Sequence, residues 1–256
     1  MQTATTIAVA GATGRLGRHV VDVLTEAGHD VVPMSRATGV DLVTGEGLAA
    51  ALAGVEVVVD AATQPSSDQQ AATEFFTTAS RNLQQAAERA GVRRIVVVSI
   101  IGVDRFTGGY NVAKFAHEQA ALAGPVPVRI LRAAQFHEFV QELLAWGMQG
   151  EVAHVPRMRT QLVAARTVAE AVAELALADG PDAAPGTPYP EIAGPREESL
   201  VDVAALVASR RPEPLRIEAV GDPDDPDQRL FENGGLLPSP HAKLAGPTFE
   251  EWLAAH

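Results

Sequence analysis

The sequence of 256 residues contains no cysteine. Disulfide bonds, thiolate nucleophiles and cysteine metal sites are therefore excluded together. Lysine is scarce as well, because 18 of the 20 basic residues are arginine and only Lys114 and Lys243 are lysine. A lysine that falls within a chemical motif is for this reason more informative than it would be in a lysine-rich chain.

The chain also has no block of positive charge and no long apolar run. It carries 32 acidic and 20 basic residues, a net charge of −12, so we expect neither nucleic acid nor an anionic membrane surface as a partner. The longest apolar run, 95–103, is far too short to span a bilayer. The N-terminus enters a strand without a basic region or a cleavage signal. These features predict a soluble, cytoplasmic protein whose partner is a small molecule.

Three evenly spaced glycines join a short apolar strand at 7–10 to a helix. Glycine permits a tight turn and the close approach of a diphosphate to the main chain, while the helix N-terminus attracts the anion. The alternative is that the glycines merely shape a strand-to-helix turn. No Gly-Lys-Ser/Thr follows, which excludes a P-loop. The stretch predicts a dinucleotide-binding turn, and its expected cofactor-binding residues are Gly11, Thr13, Gly14, Arg15, Leu16 and Gly17.

Strand and helix patterns alternate through about the first 180 residues, which predicts an α/β fold with a doubly wound parallel sheet of the Rossmann type. The usual strand order 3-2-1-4-5 places the first and fourth strands side by side, with the ligand bound there. We expect 1–256 to form a single domain, in which about 147–165 and 181–256 contribute a small C-terminal lobe on the substrate side. The strands expected in the sheet cover 7–10, 30–34, 55–60, 95–98 and 126–131, and those expected in the lobe cover 161–165, 189–193 and 215–220.

A tyrosine and a lysine stand four residues apart where a helix follows the fourth strand. Tyr110 and Lys114 then project from one helix face, and Ser99 ends the strand that leads to them. A phenol that exchanges protons near neutrality needs a cation to stabilise its phenolate, which Lys114 can supply. The hydroxyl of Ser99 can bond a carbonyl oxygen. The pattern predicts a catalytic group of Ser99, Tyr110 and Lys114, and the alternative is a chance tyrosine and a solvated lysine.

The end of the second strand bears on the choice of cofactor. An acid normally bonds the ribose 2′-hydroxyl of NAD here, but this chain has Ser35 and Arg36. A hydroxyl and a guanidinium suit the 2′-phosphate of NADP, and Arg15 can add a second cation. NADPH is therefore expected to be preferred over NADH, and the alternative is that Arg36 is a solvated loop arginine. The small residues expected to let the cofactor pass beyond the third strand are Ala61, Ala62 and Thr63.

Weaker features complete the candidate site. Phe136 and His137 follow the fifth strand at the expected nicotinamide end and are the candidates for substrate contact. The alternatives are that His137 is a structural histidine and that Phe136 belongs to the core or the pocket wall. The acidic run 222–227 lacks the spacing of a calcium loop, and prolines separate its carboxylates, so a solvated loop is expected. No histidine pair has the spacing of a zinc protease motif. No metal site is predicted.

Motifs distributed through the chain point to a family. They are Gly-Ala-Thr-Gly-Arg-Leu-Gly at 11–17, Val-Ser-Ile-Ile-Gly-Val-Asp at 98–104, Tyr-x-x-x-Lys at 110–114 and Leu-Arg-Ala-Ala-Gln-Phe-His at 131–137. Together they resemble those of an atypical short-chain dehydrogenase/reductase of the NmrA-like, NAD(P)H-binding branch. The resemblance implies a Rossmann fold with a bound nicotinamide dinucleotide, and it implies that Ser99 orients a carbonyl, Tyr110 acts as acid/base and Lys114 binds ribose. Further cofactor contacts expected from the resemblance are Asp41, Leu42 and Ala133.

These observations predict an NADP(H)-dependent reductase or dehydrogenase that acts on a carbonyl, or a similar polarised double bond, of a small organic molecule. One alternative is a non-catalytic NAD(P)-binding redox sensor of the NmrA type, although such proteins commonly lack the tyrosine. Another is an isomerase or epimerase that uses the bound cofactor transiently, although the chain lacks the longer C-terminal domain of the extended enzymes. The expected assembly is a monomer or a homodimer.

Overall fold

The computed structural model describes residues 4–64, 66, 68–180 and 187–256 of the chain. In this part of the chain the strands are β1 (Thr6–Ala10), β2 (Asp30–Met34), β3 (Val57–Asp60), β4 (Arg94–Ile100), β5 (Val128–Ala133), β6 (Met148–Gln149), β7 (Val152–Pro156), β8 (Arg159–Thr160), β9 (Glu191–Ala193), β10 (Glu198–Ser199), β11 (Arg216–Val220) and β12 (Lys243–Leu244). The helices described there are α1 (Arg15–Glu26), α2 (Leu48–Ala51), α3 (Gln69–Ala90), α4 (Gly109–Leu122), α5 (Phe139–Trp146), α6 (Ala165–Leu177), α7 (Leu200–Ser209), α8 (Gln228–Glu232) and α9 (Phe249–Ala255).

Seven of the described strands form one fully parallel sheet in the order β12-β9-β5-β4-β3-β1-β2. Its central strands are short runs of branched apolar residues, as expected where helices cover both faces of a sheet. All four residues of β3 are buried, and in β4 only the last of seven residues is partly exposed. The predicted doubly wound sheet of the Rossmann type is confirmed.

Alternate residues of the sheet support helices on its two faces. On one face, Val9 of β1 and Val59 of β3 pack into a core with α1 and α6. On the other face, Ala8 and Val58 pack into a second core with α2, α3 and α4. Because helices that follow parallel strands begin at the carboxyl ends of those strands, α1 and α4 begin at the same edge of the sheet, on opposite faces.

The strand order differs from the predicted one around β1. Ala10 of β1 pairs with Met34 of β2 on one side and with Asp60 of β3 on the other, so β3 lies between β1 and β4. The predicted contact of the first and fourth strands is wrong. Among the described strands β2 is at the edge of the sheet, and the connection from β2 to β3 passes over β1, so that β3 occupies the place beside β1 that was expected for β4. The connections from β1 and β3 leave in opposite directions, so the switch point of the sheet lies between these two strands.

A second set of elements follows the first five strands and contributes no strand to the central sheet. We refer to it as the C-terminal lobe, and it consists of α5, β6 to β8, β10, α7, β11, α8 and α9. Within it β6, β7 and β11 form a small sheet, and β8 pairs with β10. α5, α7 and α9 share an apolar core with β7 that includes Val155, Leu200 and Trp252. β9 was expected in this lobe but lies in the central sheet beside β5, because Ile192 and Ala193 are buried in the main core. Residues 181–186 of the expected lobe lie outside the described residues.

The segment predicted as a strand at 161–165 forms an isolated bridge and a helix start. Val163 bridges to Phe136, and its main chain bonds to that of its neighbours on the other segment. Ala165 begins α6, where its N–H donates to both carboxylate oxygens of Glu138 at 3.2 Å. The carboxylate of Glu138 thus accepts from the first turn of α6, and the helix begins where the strand was predicted to end.

The longest helix of the described chain, α3, has 22 residues. One face of α3 packs on the sheet through Leu83 and on α4 through Phe76, and the other presents glutamine, glutamate and arginine. No helix in the described part of the chain is both long enough and apolar enough to cross a membrane.

Candidate active site

The glycine turn between β1 and α1 has the shape that a dinucleotide diphosphate requires. Gly11 has a φ of +74°, in the left-handed region, and a Cβ there would lie 2.7 Å from the carbonyl oxygen of Ala61. A Cβ on Gly17 would collide with the carbonyl oxygen of Gly11. Gly14 precedes α1 without a side-chain cap, so no side chain occupies the anion-binding end of the helix. These residues fit a bound dinucleotide.

Around this turn, Thr13 is exposed and Leu16 is buried, so Leu16 can meet a ligand only through its main chain. The small residues after β3 close the other side, since Ala61 is partly buried and Ala62 buried. The structure brings these residues together at the switch point. Ala133 lies two strands away, buried at the carboxyl end of β5.

The end of β2 presents a positive side chain. Arg36 is exposed there, and the N–H of Ser35 donates to Thr38 Oγ1 at 2.8 Å, which closes a turn. The turn at 35–40 contains no acidic residue that would repel a phosphate. This end of the strand is compatible with the expected contact to a 2′-phosphate.

The turn after Val40 is held by its own hydrogen bonds. Asp41 Oδ1 accepts from the N–H of Val43 at 2.7 Å and of Thr44 at 3.0 Å. The carbonyl of Leu42 accepts from Asn82 Nδ2 of α3 at 2.9 Å. The chain thus fixes the positions of Asp41 and Leu42, and their contact with adenine stays a prediction.

Arg15, within the glycine turn, forms an ion pair with the C-terminal lobe. Its guanidinium forms an ion pair with the carboxylate of Glu142 on α5. The pair joins the glycine turn to the C-terminal lobe. In this structure Arg15 has a carboxylate partner, and Arg36 is the cation at the end of β2.

Tyr110 lies in the first turn of α4, and its hydroxyl meets the loop that follows β3. The Oη atom lies 2.6 Å from Thr63 Oγ1, so one of these hydroxyls donates to the other. Burial raises the pKa of Tyr110, and the hydrogen bond to Thr63 opposes this rise. The phenol therefore holds its proton at neutral pH and is available as a donor.

Ser99 is the second-last residue of β4, near the same edge of the sheet. Its Oγ is buried and has no hydrogen-bond partner among the residues that the structure describes. An unpartnered buried hydroxyl costs about 1 to 3 kcal/mol, and a ligand that bonds to it removes that cost. The hydroxyl of Ser99 is thus available to a ligand only if the ligand reaches this buried position, and its contact with a substrate oxygen stays a prediction.

Lys114 is buried, so the alternative of a solvated lysine is wrong. Its Nζ donates to the carbonyl of Val98 at 2.8 Å, lies 2.9 Å from His117 Nδ1, and lies 4.7 Å from the centre of the Phe76 ring. Two hydrogen-bond partners and an aromatic face thus surround the buried ammonium group. Burial and the bond to Thr63 are the two effects that shift the pKa of Tyr110 in this structure, and the stabilisation of its phenolate by Lys114 stays a prediction.

Two further buried residues, His117 and Asp60, are linked to Lys114 by hydrogen bonds, and the sequence did not predict a role for either. His117 Nε2 lies 3.0 Å from Asp60 Oδ2, and Asp60 Oδ1 accepts from the N–H of Ala62 at 3.1 Å. Burial lowers the pKa of Lys114 to about 8, and the charge of Asp60 opposes the fall. The usable signals were an aspartate that ends an apolar strand and a histidine one helical turn after the lysine.

Asp227 of the C-terminal lobe fixes the start of α4. Its carboxylate accepts from the N–H of Thr107 at 2.8 Å, from the Thr107 hydroxyl at 2.9 Å and from the N–H of Gly108 at 2.8 Å. The prediction of a solvated loop at 222–227 is wrong for Asp227, which is 5 % exposed. The spacing of charges along the loop carries no information about a distant helix start that needs an acceptor.

The residues after β5 are partly or fully buried in this structure. His137 is completely buried, its Nε2 lies 3.1 Å from the carbonyl oxygen of Pro247, and its ring packs beside Phe249 and Trp252. His137 exposes no surface in this structure, and its contact with substrate stays a prediction. Aromatic side chains of α9 have drawn the imidazole into the lobe core. Phe136 is partly buried against the main core.

Comparison with known proteins agrees with this geometry. Residues 11–135 match the family described as NAD(P)H-binding. No curated protein matches the chain by sequence. Residues 11–135 are therefore similar to NAD(P)H-binding domains, and the solved structures below share the fold, while membership of the atypical short-chain dehydrogenase/reductases and of their NmrA-like branch stays a prediction.

Solved structures with the same fold include MoeE5 in complex with UDP-glucose and NAD, with a TM-score of 0.66 and 21 % identity over 98 % of this chain and 99 % of that one. The dTDP-4-dehydrorhamnose reductase from Bacillus anthracis str. Ames, in complex with NADP, has a TM-score of 0.69 and 15 % identity over 99 % and 98 %. A GDP-6-OMe-4-keto-L-xylo-heptose reductase from C. jejuni has a TM-score of 0.73 and 13 % identity over 100 % and 99 %. These chains are covered almost completely, so a missing C-terminal domain does not separate this protein from them.

Proposed function

We propose that the protein is an NADP(H)-dependent oxidoreductase that acts on a carbonyl, or a similar polarised double bond, of a small organic molecule. One observation carries the proposal. The Tyr110 hydroxyl, bonded to Thr63 at 2.6 Å, lies at the edge of the sheet where the glycine turn can hold the cofactor. A protonated phenol at that edge is suited to transfer its proton to a substrate oxygen.

The preference for NADP(H) rests on the end of β2. Arg36 is exposed there, and the turn contains no carboxylate. A guanidinium forms charge-assisted hydrogen bonds with a phosphate, whereas a 2′-hydroxyl gains much less from it. Arg36 would therefore hold the 2′-phosphate, with Ser35 beside it.

Tyr110, Thr63 and Ser99 each have a separate role in the proposed reduction. The bound cofactor supplies the hydride. Tyr110 donates its proton to the substrate oxygen, and Thr63 orients the phenol and can donate to the phenolate that is left. Ser99 offers its unpartnered hydroxyl to the same oxygen. In the oxidation direction the same groups act in reverse.

The experiment that tests the cofactor assignment is a titration of the purified protein with NADPH and with NADH. We expect tighter binding of NADPH, and Arg36→Asp should weaken it by roughly 10- to 150-fold, as for a lost charge-assisted pair. Arg211→Asp, a change at another exposed arginine, is the matched control and should leave both affinities unchanged. Equal affinities for the two cofactors, unaffected by Arg36→Asp, would overturn the assignment.

A second function, a non-catalytic sensor of the NADP(H) redox state, is favoured by one feature of the site. Ser99, Tyr110 and Lys114 make no hydrogen bonds with one another in the described structure, and the Lys114 donors are directed to other groups of the protein. A sensor would bind NADP and NADPH with different effects on a partner protein and would turn over no substrate. A steady-state screen of carbonyl compounds with NADPH separates the two functions.

We also propose that the C-terminal lobe forms the substrate side of the site within a single domain, and that the protein acts as a monomer or a homodimer. The support for the lobe is that Asp227 holds the start of the helix that carries Tyr110. A substrate that contacts the lobe can therefore affect the position of the phenol. Limited proteolysis with and without NADPH checks whether the lobe is protected by ligand binding.

A further inference from the structure

The buried chain of Asp60, His117 and Lys114 has one consistent assignment of protons while Lys114 is charged. An ammonium group can only donate, so His117 Nδ1 accepts from it at 2.9 Å and carries no proton. The other ring nitrogen, Nε2, then carries the proton and donates it to Asp60 Oδ2 at 3.0 Å. The imidazole is neutral and links a buried cation to a buried carboxylate.

Charged groups are few on the elements packed around Lys114. In the described structure α3 presents the uncharged ring of Phe76, and β4 presents a main-chain carbonyl. On α4, Glu118 is near, but its two oxygens accept from Arg132 of β5 at 2.9 and 2.8 Å. On β3, Asp60 is the carboxylate that hydrogen bonds connect to Lys114.

We propose that Asp60, acting through His117, is the counter-ion that keeps Lys114 protonated and fixed in the sealed interior behind Tyr110. Asp60 and His117 are positioning residues, because they act on the site through Lys114. Burial lowers the pKa of this lysine to about 8, and the charge of Asp60 and, with a smaller effect, that of Glu118 work against this fall. Without the carboxylate, Lys114 loses its proton within the neutral range and releases His117 Nδ1.

The charge of Lys114 can be tested without any cofactor. The whole protein labelled with [13Cε]lysine gives two lysine signals, and Lys243→Arg removes one of them, which assigns the other. We expect Lys114 to titrate near pH 8 and Asp60→Asn to move this midpoint down by about one pH unit or more. Asp227→Asn removes a different buried acid that accepts main-chain hydrogen bonds, and it should leave the midpoint in place. An unchanged midpoint in Asp60→Asn would overturn the proposal.

A measurement on the protein without substitutions at Asp60 keeps the test decisive if that variant does not fold. Long-range 1H–15N spectra distinguish the two neutral tautomers of His117 from the imidazolium. We expect the tautomer with the proton on Nε2 at neutral pH. A proton on Nδ1 would remove the acceptor that Lys114 requires and would refute the proposed chain.

The consequence for cofactor binding rests on the proposed function. A charged Lys114 adds positive potential near an anionic dinucleotide, so Asp60→Asn should weaken NADPH near neutral pH and regain affinity as the pH is lowered and Lys114 takes up its proton. A merely structural loss would not be reversed by acid. A shifted lysine midpoint together with unchanged NADPH affinity would support the counter-ion and contradict the role of Lys114 in the proposed cofactor site.

Discussion

We predict that replacing Lys114 by Met changes how the free energy of unfolding depends on pH. The ammonium is buried, and its pKa is lowered to about 8 from the usual 10.5, mainly because burial disfavours the charged form. Below pH 8 the folded and unfolded chains both hold the proton, and the folded chain bears the full cost of burying the charge. Lys114→Met removes this charge and keeps a side chain of similar length.

The sign of the effect follows from where the proton is lost. Between pH 8 and pH 10.5 the unfolded chain binds more protons at Lys114 than the folded chain, so the free energy of unfolding rises with pH in this window. With these two pKa values, raising the pH from about 7 to about 10 should stabilise the natural protein by roughly 2 to 3 kcal/mol relative to Lys114→Met. Other groups that titrate in this range are common to both proteins and cancel in the comparison.

The assay is urea unfolding of both proteins at about pH 7 and about pH 10, followed by circular dichroism. Lys243→Met is the matched control, since Lys243 is exposed and its pair with Glu174 lies at the surface. The control should change the difference between the two pH values by less than about 0.5 kcal/mol. If the difference between the natural protein and Lys114→Met is the same at both pH values, Lys114 is not buried as a charged group and the reasoning fails.

Three further predictions test the surroundings of the site. Gly17→Ala should abolish dinucleotide binding in a fluorescence titration, because its Cβ collides with the carbonyl of Gly11, whereas retained binding would show that the turn can relax. Asp227→Ala should lower the free energy of unfolding by about 2 to 3 kcal/mol, because donors of Thr107 and Gly108 lose their acceptor; a loss equal to that of the exposed Asp224→Ala would contradict this. Thr63→Val should raise the pKa of Tyr110 further, since the bond to Thr63 lowers it, and absorbance titration of the phenol in a Tyr189→Phe background checks the direction.

Local patterns in the sequence predicted the parts of the site that lie close together in the chain. The glycine turn at 11–17 and the helix that carries Tyr110 depend on spacing within one or two turns of chain, and periodicity and glycine position report such spacing directly. The order of the strands in the sheet could not be predicted from such local patterns. Placing β3 beside β1 requires knowledge of the side to which the chain crosses after Met34, and the pattern of apolar residues is the same for either side.

The residues that the sequence analysis missed act across long separations. Asp60 and His117 are 57 residues apart, and Asp227 and Thr107 are 120 apart. Each pair forms because burial leaves a polar group in need of a partner, and that need arises only after the sheet and the lobe have come together. His137 shows the converse, because its position after β5 suggested a ligand contact while the aromatic residues of α9 buried its ring.

The central claim is that Tyr110 is the proton donor of an NADPH-dependent reduction. Its most direct test is the rate of NADPH oxidation with a panel of small carbonyl compounds, measured for the natural protein, for Tyr110→Phe and for Tyr189→Phe, the change at the other tyrosine of the chain. We expect Tyr110→Phe to bind NADPH normally and to lower turnover by about 10²- to 10⁴-fold, with Tyr189→Phe close to the natural protein. Turnover by Tyr110→Phe at the natural rate would contradict the assignment of the donor, and an absence of turnover with every compound, in a protein that binds NADPH, would favour the sensor.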